Sequence, residues 1–178
     1  MVLVGVFLYV TLKVRHHIPS HVVEMLVTAL VLSQISYCIS VYGSGSIGNL
    51  HRIQKIINFA VRVIFGRSKY DHVSALRQRL GWMSSEELVQ YHTLSLLHKV
   101  LRNGEPECLS NMFQTNRSRR ERNTRQDSQL YVPASRTNAG KRCFHRRAPL
   151  MYNALPSELT QLPVTRFNRA VIRHITDR

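Results

Sequence analysis

Between residues 49 and 66 the chain places an apolar side chain every three or four positions without a break: Leu50, Ile53, Ile56, Ile57, Ala60, Val61, Ile64 and Phe65. That spacing follows the roughly 3.6-residue period of an α-helix with one face in a core, and it excludes a half-exposed strand, whose period is two. Asn49 is placed to cap this helix and Gly66 to end it. At about 100° per residue, His51, Lys55, Asn58 and Arg62 fall on the opposite face. Each large apolar side chain contributes roughly 1.5–3 kcal/mol when fully buried, against about 1 kcal/mol at most for a surface charge pair, so packing holds such a helix in place.

The same period recurs along the chain. Residues 3–17 read as a helix, and Ile18-Pro19-Ser20 breaks it and starts a second, with Ser20 as cap and Glu24 in its first turn, running to about Tyr37. That second helix is apolar nearly all round, which suits a central position. Asp71 is expected to cap a short helix ending at Gly81, and Ser84-x-x-Glu87 is a capping box for another that stops before Asn103-Gly104. Its apolar face is Leu88, Tyr91, Leu94, Leu97 and Leu101, and Trp82 anchors the junction before it. A helix over 141–153, kinked or broken by Pro149, and a last one over 165–175 with Phe167, Val171 and Ile175 on one side complete the pattern. The expectation is an all-α, irregular bundle of five to seven helices. Its divisions are a helical core over 1–113, an Arg-rich, loop-rich insertion over 114–140, and C-terminal helices over 141–178 that pack back on the core.

Gly43, Gly45 and Gly48 carry the spacing GxGxxG, which in a strand–turn–helix setting cradles a dinucleotide. That chemistry needs a parallel sheet, and the downstream segments have helical periodicity. The glycines therefore read as a turn between helices, and no cofactor is expected.

Charge is the unusual quantity. Lys and Arg number 25 against 10 Asp and Glu, a net +15 with a pI near 10.7. Such a surface attracts polyanions, nucleic acid above all. The excess is concentrated between residues 115 and 147, where Arg117, Arg119, Arg120, Arg122, Arg125, Arg136, Lys141, Arg142, Arg146 and Arg147 face only Glu121 and Asp127. Nine of those ten cations are arginine, whose planar fork matches phosphate oxygens two at a time. With His51, Lys55 and Arg62 from the helix above, these residues are the candidate nucleic-acid contacts.

Catalytic and metal chemistry lack their patterns. There is no GxSxG, no HExxH and no Asp-Asp pair, and Glu86-Glu87 sits where a helix start needs it. Cys38, Cys108 and Cys143 are odd in number and far apart, which fits a reducing compartment, cytoplasm or nucleus, better than a disulfide framework. Cys108, Cys143 and His145 have no zinc-finger spacing. The apolar run MVLVGVFLYVTL has no positive charge before it and is too short to span a bilayer.

Several pieces in order resemble a known family: SYCISVYG, NLHRIQKIINFAVRVIFG, DHVSALRQRLGW, LVQYHTLSLLHKVLRNGEPECL, TRQ and RTNAGKRCFHRRAPLMYNALP. Together they resemble the region after the polymerase core in jockey-like non-LTR retrotransposon reverse transcriptases, over about residues 10–167. The resemblance implies an all-helical thumb-and-beyond region that helps hold RNA template and DNA primer, with palm and fingers as its partners. The aromatic-x-Asp-Asp turn of the catalytic palm has no counterpart here. A cationic helical protein working at a membrane surface through residues 1–35, and a transposon relic without selected function, are the alternatives.

Overall fold

The computed structural model describes residues 2–119 and 127–177 and is all-helical, with no β-strand among the described residues beyond one isolated antiparallel bridge, Thr115 to Leu130. Two compact units divide it, residues 1–88 and 89–178. That boundary falls inside a helix, and the described residues 114–119 and 127–140 belong to the second unit.

The first unit holds α1 (Val2–Val14), a 3-10 turn (Arg15–His17), α2 (Ser20–Val27), a π-helical segment (Thr28–Leu32), α3 (Ser33–Ser36), α4 (Ile39–Tyr42), α5 (Ile47–Phe65) and α6 (Ser74–Arg79). Helices α1 and α2 pack on α5. Leu8, Val27, Val31, Ile39, Ile53, Ile57 and Val61 are almost fully buried, which places the predicted α5 stripe in the core. The π segment is the departure from regular periodicity. Beside it, the Thr28 hydroxyl donates to the Glu24 carbonyl at 2.7 Å, and the Ser33 hydroxyl donates to the Ala29 carbonyl.

Three expected caps are not used. Helix α2 starts at Ser20 itself after Pro19, and α5 starts at Ile47 after Ser46, a turn before Asn49, with no side-chain cap bond at either. Helix α6 starts only at Ser74, and Asp71 instead accepts the Ser68 N–H at 3.0 Å in the turn before it. Gly66 behaves as expected: at φ +64 it occupies the left-handed C-cap and donates its N–H to the Arg62 carbonyl. Arg15 reinforces that end, its guanidinium donating to the Val63 carbonyl at 3.4 Å.

Helix α7 (Ser85–Asn103) runs from the first unit into the second. The second unit continues with α8 (Glu107–Ser110), α9 (Asn116–Arg119), α10 (Asn138–Arg142), α11 (Phe144–Asn153), α12 (Ser157–Thr160) and α13 (Val164–Thr176). The thirteen α-helices among the described residues exceed the expected five to seven because single-turn helices fill the connections. Only five run ten residues or more: α1, α5, α7, α11 and α13. Pro149 does not break its helix. It lies buried inside α11 beside Ala148, so burial outweighs the roughly 3 kcal/mol that a proline costs a helix interior.

The second unit has two neighbouring apolar clusters. One is Leu97, Val100, Phe113, Leu130 and Ala148, and the other is Leu94, Phe167, Val171 and Ile175. His98 is fully buried with them, stacked on Phe167 at 3.7 Å between ring centres. Its Nε2 lies 2.9 Å from the Leu162 carbonyl and its Nδ1 2.9 Å from the Tyr152 hydroxyl, so a neutral imidazole donates to the first and accepts from the second.

Candidate nucleic-acid interface

The α5 candidates separate into two kinds. His51 and Lys55 are exposed, and Arg52, which the period assigns beside them, is exposed as well. Arg62 is half-buried and committed to the fold: its guanidinium donates to the Asp71 carbonyl at 3.0 Å, and its Nε is buried without a hydrogen-bond partner. Arg62 thus ties α5 to the loop before α6.

In the second unit the Arg-rich segment is anchored at both ends. Asn116 N–H donates to Gln129 O at 2.9 Å, Arg117 N–H to Asp127 O at 3.3 Å, and Tyr131 N–H to Gln114 O at 2.8 Å. The chain on either side of residues 120–126 is thus hydrogen-bonded to itself. Asn153 of α11 grips this pairing through both its side-chain atoms and the Leu130 backbone. Arg117 is exposed on α9, and Arg119 closes that helix. Arg120, Arg122 and Arg125 lie outside the described residues.

Arg136, Lys141 and Arg142 are exposed around α10. The Thr137 hydroxyl fixes the start of that helix by accepting the Gly140 N–H at 3.1 Å. Arg146 and Arg147 are half-buried and bonded within the fold. Arg146 donates from Nε to the Pro133 carbonyl at 3.0 Å, and Arg147 donates to the Thr93 hydroxyl at 3.1 Å. Burial draws the Arg147 guanidinium below its ordinary pKa, an effect that nearby Cys143 partly offsets. Net charge along a sequence does not reveal which guanidinium a fold will bind with its own carbonyls and hydroxyls.

Helix α13 supplies cations that the sequence reading passed over. Arg166, Arg169 and Arg173 are all exposed, while Phe167, Val171 and Ile175 on the other side are buried. The signal was in the sequence as an i, i+3, i+7 spacing, overshadowed by the denser run upstream.

Among the described residues, Arg77 with Glu87, 3.2 Å apart, is the one salt bridge. Among the described residues, no exposed cation forms a salt bridge with a described acid. The glycines of the GxGxxG stretch have no strand before them: Gly43 ends α4 and Gly48 lies inside α5. No three His, Cys, Asp or Glu side chains come together as a metal cluster among the described residues. His145 is instead bonded through Nε2 to the Met112 carbonyl at 2.8 Å.

No family model, curated protein or solved structure matches the chain.

Proposed function

We propose that this chain is a non-catalytic, nucleic-acid-binding helical region of a mobile-element RNA-directed DNA polymerase, working beside palm and fingers in a nuclear or cytoplasmic setting. The observation that carries the binding is the unneutralised charge: a net +15 with one salt bridge among the described residues and exposed cations on both units. His51, Arg52 and Lys55 serve one surface, and Arg117, Arg136, Lys141 and Arg142 another. The order and spacing of the sequence pieces support the parentage.

Contacts of this kind read phosphates and not bases, so binding weakens with salt, log K falling by roughly 0.7–0.9 per phosphate engaged for each tenfold rise in salt. Titration of a primer–template duplex at several salt concentrations tests this. Affinity that ignores salt, or that survives neutralisation of Arg117, Arg136, Lys141 and Arg142 together, counts against it.

One observation favours a second reading. Val6, Phe7, Tyr9 and Val10 of α1 are exposed, with Lys13 at the helix end. An apolar face with a cation suits the surface of an anionic membrane. No helix among the described residues is long and apolar enough to cross a membrane. Co-flotation with anionic vesicles separates this reading from the first.

A further inference from the structure

The α13 stripe has features that helix stability does not explain. Arg166, Arg169 and Arg173 project within a narrow arc, since steps of three and four residues at about 100° each return to nearly the same direction. The buried Phe167, Val171 and Ile175 are centred on the opposite side. Like charges spaced this way repel one another along a helix. Arg173 lies in the last turn, where the helix dipole favours a cation, but Arg166 lies in the first turn, where it does not. Helix α13 contains no Asp or Glu, and none of the three guanidiniums has a hydrogen bond or ion pair among the described residues. No acid within helix α13 relieves this repulsion, which an anion outside the helix would.

The second unit also narrows which anion. Its aromatic side chains are spent indoors: Phe113 and Phe167 are buried, and Tyr91, Tyr131, Phe144 and Tyr152 are half-buried. No aromatic side chain is exposed among the described residues of that unit. Single strands are held by stacking unpaired bases on exposed rings along a charged groove, whereas a duplex keeps its bases stacked and its phosphates are engaged by cations without exposed rings. The stripe is about 10.5 Å long at 1.5 Å per residue, and one strand of B-form duplex presents about three phosphates over that rise.

We infer that the outward face of α13 is a duplex-backbone contact in which Arg166, Arg169 and Arg173 each engage a phosphate. This rests on the nucleic-acid reading above and adds to it a surface and a preference for paired over unpaired strands.

The experiment uses the full chain, a short blunt DNA duplex and one of its separated strands, each titrated over a range of salt. The unmodified protein binds the duplex more tightly than the strand. The variant R166Q/R169Q/R173Q lowers duplex affinity at least about tenfold at moderate salt and reduces the salt slope by roughly two to three, while lysine at the same positions restores the slope. R169Q alone reduces the slope by about one, which keeps the test decisive if the triple variant folds poorly. Tighter binding of the single strand, or an unchanged slope in both glutamine variants, overturns the inference. If those variants bind normally while neutralising Arg117, Arg136, Lys141 and Arg142 weakens binding, the α13 contact fails and the broader nucleic-acid reading stands. If the unmodified chain shows no salt-dependent binding, both fall.

Discussion

Asn153 pairs with the backbone of Leu130 as a second strand would, accepting its N–H on Oδ1 at 2.9 Å and donating Nδ2–H to its carbonyl at 2.8 Å. One side chain thereby satisfies both polar groups of a residue whose own side chain is buried. N153A leaves that pair of groups unsatisfied and should cost about 2–3 kcal/mol. Hydrogen exchange at the Leu130 amide checks it: protection that persists in N153A would show that the pin is not needed.

His98 makes the second unit sensitive to mild acid. Burial pulls its imidazole below the ordinary range; the Leu162 carbonyl partly opposes this, and the charge of Arg102 adds to it. Burial shifts His92 the same way. A depressed histidine contributes fully while it is neutral in both states. Its contribution falls as pH drops below the unfolded value of about 6.5, where the unfolded chain takes up the proton first. Thermal midpoints should therefore decline from about pH 7 to about pH 5, and less steeply in H98L, with His92 supplying the remaining slope. A midpoint that does not change across this range would contradict the assignment.

Gly66 is constrained twice over. Its φ of +64 disfavours any L side chain, and an added Cβ would come within 2.9 Å of the Arg15 guanidinium that caps α5. G66A should destabilise the first unit by about 1–2 kcal/mol. Making the same change in an R15A background relieves the clash but not the backbone strain, so the double variant should lose less than the sum of the two single losses. Denaturant titration of the four proteins measures the difference.

Arg62 and Lys55 sit two turns apart on one helix and should respond in opposite ways. R62A removes the bond to the Asp71 carbonyl and lowers stability by about 1–3 kcal/mol, with little effect on the salt dependence of nucleic-acid binding. K55A, at an exposed position, changes stability by no more than about 0.5 kcal/mol and reduces the salt slope by about one. The reverse pattern would return Arg62 to the binding surface.

The helices themselves were legible wherever a local signal acts alone. The Ser84-x-x-Glu87 box forms in both directions, with Glu87 N–H on the Ser84 hydroxyl at 3.2 Å and Ser84 N–H on the Glu87 carboxylate at 2.6 Å. Asn103-Gly104 ends α7, with Gly104 at φ +72. Caps at Ser20, Asn49 and Asp71 were equally plausible as sequence, but the chain found other starts, because a cap contributes only about 1 kcal/mol and packing shifts a helix end for more than that. The π segment had no local signal, and Pro149 gave a misleading one. Both lie beside buried residues whose packing outweighs the local backbone preference.

The candidate site was legible only as a sum of charge. Periodicity alone determined that the chain is helical, which faces of α5, α7 and α13 are apolar, and that a large positive charge is left for the outside. Tertiary structure decided how each cation is used. Arg62, Arg146 and Arg147 reach carbonyl or hydroxyl oxygens distant in sequence or in turns of the fold and are partly withdrawn from water, whereas Arg117, Arg136, Lys141, Arg142 and the three arginines of α13 remain in it. The physical reason is that helical period depends on neighbours a few residues away, whereas the fate of a guanidinium depends on which oxygen the folded chain brings within about 3 Å of it.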